Sequence, residues 1–301
     1  MGASGQPRGE TGVVKTLQYR VRQAARDGNV SQLVAERDYA QSYVLLGVAA
    51  NALLRETLVF KGGTALRKVH FRDYRFSEDL DFSMVAGPHG DDLDRAIRAA
   101  VASAQAAARE LAPLAFSVER YQERDPHPGG QEAFIVRAQF PWQRQPMVPV
   151  KIEITHDEPV LLPSPPRAVA HGYDELLDVS VRSYGLEEIC AEKLRSTRQT
   201  QAALAARGWT RPRARDYYDL WHLVRTGHDS IDWSSIAGIL PAKCAHRGVV
   251  LRSVGDVFEP RLLEEVRTTW QRTLGPFVRE LPPVDEVLSE TREYLEALLR
   301  L

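Results

Sequence analysis

The sequence predicts a mixed α+β (α/β) protein with a β-sheet core, N-terminal helices and a C-terminal helical bundle. Three observations predict this fold class. Apolar residues recur at helical spacing up to about residue 56, and short runs rich in β-branched residues fill the segment from about 56 to 183. Helical periodicity resumes at Leu186 and continues to the end of the chain. Helices on both sides of a strand-rich segment are typical of a sheet covered by helices.

The N-terminal part predicts helices that lead into a short strand. Apolar residues follow Ser31 at helical spacing, and Ser31 is a candidate N-cap. The run TLVF at residues 57–60 predicts a strand, which Gly62 and Gly63 end, and the residues directly after them predict another helix. The predicted helices before the strand cover residues 13–28 and 31–56.

The central segment predicts most of the sheet. DLDFS is a candidate strand, and the alanine-rich run at 91–112 predicts a helix with acids in its first turn, where the helix dipole favours them. Four more runs predict strands: AFSVERY, AFIVRAQF, MVPVKIEITHD and VSVRSY. The proline-rich run DEPVLLPSPPRAV indicates a boundary.

The C-terminal part predicts only helices, at residues 186–206, 213–226, 231–243, 260–274 and 283–300. We therefore expect three regions. They are a disordered tail at 1–12, N-terminal helices with an α/β core at 13–183, and a helical domain at 184–301.

Composition restricts the class of protein. The net charge is −1, so any contact with nucleic acid must come from local basic patches. Cys190 and Cys244 have no metal-type spacing, and two cysteines in a chain of 301 residues favour a reducing cytoplasm over a disulfide scaffold. The N-terminus has no apolar run typical of a signal peptide, and the longest apolar run, of 12 residues, is too short to span a membrane. We expect no membrane partner.

The run SEDLDFS carries a candidate metal site. In a strand, Ser77, Asp79, Asp81 and Ser83 share one face. Two carboxylates on one face repel each other unless a cation lies between them, and Mg²⁺ prefers such oxygen ligands together with substrate phosphates. An exposed strand edge is the more common explanation of an Asp-x-Asp pair.

Gly62 and Gly63 favour the metal site over the exposed strand edge. A strand, two glycines and a helix start present free backbone N–H groups to a phosphate, although a plain turn would have the same pattern. Because the glycines and the two aspartates are close in sequence, the pair of features favours phosphate chemistry with a metal ion.

Basic residues form two clusters. Residues 193–215 contain seven lysines and arginines and no acid, with Trp209 among them, which predicts a positive stripe that contacts RNA phosphates while the indole stacks on a base. Solvated helix faces are the alternative. The predicted RNA-binding residues of this stripe are Arg195, Arg198, Arg207, Arg211 and Arg213. The second cluster contains Arg67, Lys68, Arg72 and Arg75.

Two acids and a lysine near this stripe are candidate site residues. Lys193 lies at the edge of an apolar helical stripe, where it either reaches water or points into a cleft towards phosphates. Asp216 and Asp219 are neighbours on one helix face and need a cation between them. The histidines His70, His156 and His222 show no ligand spacing in the sequence.

The run KGGTAL…RFSEDLDFS resembles the AbiEii/AbiGii-type (MenT-like) toxin nucleotidyltransferases of the DNA polymerase β superfamily. In that family the glycine pair is usually Gly-Ser, whereas here it is Gly62-Gly63. RPRARDYYD fits the family pattern R-x-(K/R)-D-x-x-D, and Lys193 matches a lysine that the family carries in such a helix.

The resemblance implies a nucleotidyltransferase fold, an NTP substrate and Mg²⁺ or Mn²⁺ as cofactor. It implies metal ligation by Asp79 and Asp81 and suggests Glu153 as a third ligand, although a solvated Lys-Glu pair explains Glu153 equally well. Lys193 and Asp216 become catalytic candidates, with Asp219 as their support, and Asp216 either orders a cation or acts as a base. The implied nucleotide-binding residues are Lys61, Gly62, Gly63, Ser77, Lys193 and Arg215.

The resemblance further implies a toxin of a toxin–antitoxin (phage-defence type) system. Its partners would be a cognate antitoxin and tRNA or another RNA acceptor, and modification of the tRNA 3′ end would block translation in the cytoplasm. Relatives also suggest Ser77 as a regulatory phosphosite. The alternatives are a metal-dependent nuclease, a nucleotidyltransferase that acts on a protein or small molecule, and a silent binding module.

Overall fold

A computed structural model of the chain describes residues 8–111, 113–122, 130–208 and 212–299. Its centre is a mixed five-stranded sheet of order β1-β2-β5-β4-β3, in which only β2 and β5 run parallel. The strands are β1 Leu58–Lys61, β2 Asp79–Met84, β3 Ala115–Tyr121, β4 Gln131–Gln139 and β5 Val148–Thr155. A separate antiparallel ribbon pairs β6 Pro166–Ala168 with β7 Ser180–Arg182.

Helices cover the sheet and continue beyond it. Those before β3 are α1 Arg8–Asp27, α2 Gln32–Ala50, α3 Ala52–Thr57, α4 Gly62–Ala65 and α5 Gly90–Leu111, with a π-helical turn at Leu66–His70. Those after the ribbon are α6 Leu186–Arg207, α7 Ala214–Thr226, α8 Trp233–His246, α9 Pro260–Leu274 and α10 Val284–Leu298, with 3₁₀ turns at His228–Ser230 and Val254–Val257.

The alternation along β5 shows why the sheet has two different faces. Val150, Ile152 and Ile154 are buried, whereas Lys151 and Glu153 between them remain partly exposed. The apolar face packs against helices, and α2 contacts β5 directly. The polar face is therefore free to form the floor of a cleft.

The C-terminal helices form a bundle that shares its core with the sheet. α6 packs on α7 and α8, and α7 packs on α9 and α10. One continuous cluster of buried apolar side chains extends from Leu17 to Leu299. The predicted fold class is confirmed, while the division between residues 183 and 184 stays a prediction. No described helix is long and apolar enough to cross a lipid bilayer.

Several element boundaries differ from the prediction. α1 begins at Arg8, so five residues of the predicted tail are helical. The predicted helix at 31–56 is two helices, because Asn51 leaves the helical conformation and its side chain accepts a hydrogen bond from the Leu54 N–H (3.1 Å). Ser31 caps α2 as predicted, accepting from the Val34 N–H (3.3 Å). The strand β6 lies in the proline-rich run and was not predicted.

The packing of α2 on α5 gives a test of the fold. A Cβ at Gly47 would lie 2.2 Å from the Ala100 carbonyl oxygen of α5. We expect Gly47→Ala to reduce the free energy of unfolding by about 1–3 kcal/mol, because the helices must move apart. Gly238→Ala is the matched control: Gly238 is an exposed position inside α8 with no atom near its missing Cβ, and alanine should stabilise it by about 0.5–1 kcal/mol. Equal effects in urea unfolding would contradict this packing.

Candidate active site

Three adjacent strands place charged side chains in one row across the polar face of the sheet. Lys61 on β1 is opposite Asp81 on β2, and Asp81 is opposite Glu153 on β5. Paired residues of neighbouring strands point to the same face, and Asp79 joins them because it precedes Asp81 by two residues. The polar face therefore carries three carboxylates and two lysines, since Lys151 is opposite Asp79.

Burial and mutual repulsion make these carboxylates difficult to ionise. Burial, with the charges of Glu153 and Glu78, raises the pKa of Asp79 to about 6. Burial, Glu153 and Asp79 raise the pKa of Asp81 well above its ordinary range. The cluster thus has more negative charge than its surroundings balance, and hard carboxylate oxygens are the ligands that Mg²⁺ and Mn²⁺ prefer.

The glycine pair lies directly against this cluster. Gly62 has φ +78°, a left-handed conformation that favours glycine, and a Cβ there would lie 2.4 Å from the Asp81 Oδ2 atom. A Cβ at Gly63 would lie 2.5 Å from a guanidinium nitrogen of Arg75. The backbone can pass this close to the Asp81 carboxylate only because residue 62 has no side chain.

A buried ion network forms the opposite wall of the cleft. Asp219, fully buried on α7, accepts two hydrogen bonds from the guanidinium of Arg75 (2.7 and 2.8 Å) and one from the Tyr74 hydroxyl (2.5 Å). The Lys193 Nζ lies 2.5 Å from Asp219 and 3.0 Å from Asp216. Arg213 pairs with the other oxygen of Asp216 (3.0 Å).

The charged groups of this network stabilise one another in their ionised forms. Burial alone would lower the pKa of Lys193, but Asp219 and Asp216 outweigh it and raise the pKa. Burial likewise opposes the ionised forms of both aspartates, yet Lys193 with Arg75 or Arg213 lowers their pKa values. Because the pKa of Asp216 is lowered, the geometry favours Asp216 as the residue that orders Lys193 and Arg213 over Asp216 as a base.

Ser77 and Arg215 lie at the entrance to β2. Ser77 precedes the first strand residue by two positions and lines the cleft. Arg215 reaches Glu78 (2.5 Å), and its guanidinium lies over the ring of Phe277 (4.8 Å to the ring centroid). Ser83 shares the face of the aspartates as predicted, since it is opposite Thr155 in the sheet, but it is fully buried, with its hydroxyl 2.7 Å from that of Tyr184.

Lys61 has a partner that was not predicted from the sequence. Its Nζ lies 3.6 Å from Glu192 on α6, and the fully buried Lys243 also contacts Glu192 (3.2 Å). Burial opposes ionisation of Glu192, but Lys61 and Lys243 lower its pKa to about 2. The sequence contained a sign that Glu192 needs a cationic partner. Glu192 follows Ile189 by three residues and so lies on the buried helix face.

Floor and wall enclose a cleft of about 660 Å³. It brings together most of the predicted site residues: Lys61, Gly62, Gly63, Ser77, Asp79, Asp81, Glu153, Lys193, Arg195, Arg207, Arg213, Arg215 and Asp216. Arg198 does not line it and donates to the Val250 carbonyl instead (2.8 Å). Arg211 and Trp209 lie outside the described residues.

The family described as nucleotidyl transferase AbiEii toxin, type IV TA system, matches residues 44–296. This chain belongs to the AbiEii nucleotidyltransferase toxin family. The structure of MenT4, a nucleotidyltransferase toxin from Mycobacterium tuberculosis H37Rv, has a similar fold, with a TM-score of 0.59 and 24% identity over 94% of this chain and 90% of that chain. Among curated protein sequences none matches significantly.

Membership of the AbiEii family confirms the resemblance that the glycine pair and the Asp-x-Asp run indicated. The protein is therefore a nucleotidyltransferase enzyme of the toxin class, and a type IV toxin–antitoxin family implies an antitoxin partner.

Most described residues of the positive stripe predicted for residues 193–215 form ion pairs with acids, and their contact with RNA stays a prediction. Lys193 and Arg213 pair with Asp216, while Arg215 pairs with Glu78. Arg195, only 5% exposed, pairs with Glu158 (3.2 Å). Asp216 directly follows this run, and Glu78 and Glu158 come from distant parts of the chain, so the absence of acids from residues 193–215 says little about the local field.

Three residues of the second basic cluster also form ion pairs. Arg67 and Lys68 both pair with the buried Asp38 (2.7 and 2.9 Å), and Arg75 pairs with Asp219.

The geometry supports both interpretations of Glu153, as a metal ligand and as half of a Lys-Glu pair. Glu153 is opposite Asp81 in the sheet, and it also forms an ion pair with Lys151.

The Asp219 network predicts a pH-dependent loss of stability. Because Asp219→Asn removes the carboxylate that pairs with the buried Arg75 and one of the two that pair with Lys193, we expect it to lower the free energy of unfolding by about 3–5 kcal/mol at pH 7. A lowered pKa contributes stability above the unfolded value of about 3.9, and that contribution is lost as pH falls towards the folded value. The difference between wild type and variant should therefore shrink below about pH 4.

Urea unfolding of both proteins at pH 7 and at the lowest pH at which they fold measures this difference. Asp229→Asn is the control, because the Asp229 side chain is 90% exposed and its replacement should change stability by less than about 0.5 kcal/mol. A pH-independent difference between wild type and Asp219→Asn would contradict the assignment of the loss to the ionised carboxylate.

Proposed function

We propose that this AbiEii-family enzyme transfers a nucleoside monophosphate from an NTP to the 3′ end of a tRNA, with release of pyrophosphate, and thereby blocks translation in the cytoplasm. The observation that carries the proposal is the convergence of Asp79, Asp81 and Glu153 on one wall-enclosed cleft that also contains Lys193 and Arg215.

The carboxylates fit Mg²⁺ or Mn²⁺. Asp79 and Asp81 would hold the ion and Glu153 would complete its ligands, since the raised pKa values of the aspartates indicate negative charge that lacks a counter-ion. A bound divalent ion supplies charge neutralisation of the α-phosphate and alignment of the attacking hydroxyl.

The opposite wall suits the triphosphate. Its buried network contains three cations, Arg75, Lys193 and Arg213, against two carboxylates, Asp216 and Asp219, so it retains one net positive charge. We propose that Lys193, together with Lys61 and Arg215, binds the phosphates. The backbone of Gly62 and Gly63 would approach the same phosphates from the floor.

The length of the cleft supports an extended acceptor. Its lining continues along α6 from Lys193 to Arg207, which is about 20 Å at 1.5 Å per residue. This leaves room beside a nucleotide for a second substrate, and Arg207 and Arg213 would contact its phosphates. Arg195 is buried and Arg198 points elsewhere, so we propose no direct RNA contact for either.

A transfer assay tests the activity. Purified enzyme is incubated with total tRNA, Mg²⁺ and each of the four NTPs labelled at the α-phosphate, and the RNA is separated on a denaturing gel. We expect label at the 3′ end of intact tRNA, loss of labelling with EDTA, and a decrease of at least about 100-fold in Asp79→Ala and Asp81→Ala.

Asp285→Ala is the control variant, because Asp285 is an exposed aspartate in the first turn of α10 and should leave the rate unchanged. Shortened RNA fragments without label would instead indicate a nuclease. Label on protein or on a small molecule but not on tRNA would contradict the proposed acceptor, and full labelling by Asp79→Ala would contradict the site.

We also propose that Ser77 is a regulatory phosphosite. A phosphate on Ser77 would add about −1.5 to −2 charges next to Asp79 and Asp81, where the negative charge is already in excess. We expect Ser77→Asp to abolish labelling of tRNA, and Ser77→Ala to retain it. Ser77→Asn separates charge from size, since it has the shape of aspartate without the charge, and should stay active. Full activity of Ser77→Asp would contradict the proposal.

A further inference from the structure

Two histidines and a glutamate meet at one end of the sheet. The side chains of His89, Glu132 and His156 bring one ligand atom each to within 4.8 Å of the others. His89 directly precedes α5, Glu132 is the second residue of β4, and His156 directly follows β5. The imidazole rings of His89 and His156 stack with their centroids 4.0 Å apart, and the His156 Nε2 lies 3.0 Å from a Glu132 oxygen.

This cluster is separate from the cleft. Gln131 and Thr155 line the cleft, and alternation along β4 and β5 turns Glu132 and His156 to the opposite face. The His156 N–H donates to the Gly130 carbonyl (3.1 Å), which continues the pairing of the two strands by one step.

The site has a polar group without a partner and a carboxylate that is already oriented. The Nδ1 of His156 is buried and lacks a hydrogen-bond partner among the described residues, which is unfavourable unless something binds it, and the buried Nε2 has only the 3.0 Å contact with Glu132. One oxygen of Glu132 accepts from the Gly90 N–H (3.0 Å), and Arg120 donates to the other. Such outer hydrogen bonds orient a carboxylate that binds a metal.

We propose that His89, Glu132 and His156 bind a borderline divalent ion of the Zn²⁺ class, with water as a further ligand. Two imidazoles and a carboxylate are a donor set that Zn²⁺ prefers, whereas Mg²⁺ prefers oxygen ligands alone. Zinc bonds of about 2.0–2.2 Å require ligand atoms about 3.3 Å apart. A rotation of the exposed His89 side chain that moves its ligand atom by about 1.5 Å would close the site.

The ion would fix three elements to one another. It would join the start of α5 to the ends of β4 and β5, whose neighbouring residues Gln131 and Thr155 reach the cleft on the other face. The inferred role is structural, and it does not depend on the proposed transfer reaction.

Zinc titration of the full chain tests the inference. The protein is stripped with a chelator, dialysed and titrated with Zn²⁺ against a chromophoric chelator, and melting temperatures are recorded with and without Zn²⁺. We expect one Zn²⁺ per chain, a higher melting temperature in Zn²⁺, and no displacement by excess Mg²⁺. His89→Ala and Glu132→Gln should weaken binding at least about tenfold, because loss even of an outer partner costs that much.

Two further variants make the result specific. His228→Ala removes a half-exposed histidine far along the chain and should bind Zn²⁺ as wild type does. Asp79→Asn should also retain binding, because Asp79 belongs to the cleft floor. His89 is exposed, so His89→Ala is expected to fold even where Glu132→Gln does not. Unchanged zinc affinity in His89→Ala, or loss of binding in Asp79→Asn, would overturn the assignment.

Discussion

The buried carboxylate of Asp219 is the interaction on which the rest of the cleft depends. It accepts two hydrogen bonds from Arg75, which precedes β2, and contacts Lys193 on α6, while Asp219 itself belongs to α7. A charge removed from water is stable only while its partners stay in place, so these three parts of the chain cannot move independently. The ion network thereby fixes the helical wall against the sheet that carries Asp79 and Asp81.

The two sides of the cleft carry unbalanced charge of opposite sign. On the floor, Asp79, Asp81 and Glu153 outnumber the nearby lysines. Burial and the repulsion between these carboxylates raise the pKa values of both aspartates. On the wall the cations outnumber the acids, and Lys193 stays charged although it is buried because Asp219 and Asp216 raise its pKa. A substrate with a metal ion on one side and phosphates on the other would neutralise both excesses.

Local sequence patterns predicted the features that depend on neighbouring residues, such as strand faces and a helix cap. The alternation in DLDFS and VPVKIEIT identified the residues that share the cleft face, and Ser31 was recognisable as a cap. Interactions between distant residues were not predictable in this way. Arg195 pairs with Glu158 and Lys68 pairs with Asp38, so clusters that look basic in the sequence are neutralised in the fold. The approach of Glu132 to His156 likewise depends on the pairing of β4 with β5.

The second glycine of the pair follows from the same ion network. Family members usually have Gly-Ser, but a Cβ at Gly63 would lie 2.5 Å from the Arg75 guanidinium. A free arginine could move aside at little cost, whereas Arg75 is buried and held by two hydrogen bonds to Asp219. A serine at position 63 would therefore have to disturb the contact that positions the wall. Gly63 and Arg75 form a matched pair in this chain, and Gly62 is required independently by its left-handed backbone against Asp81.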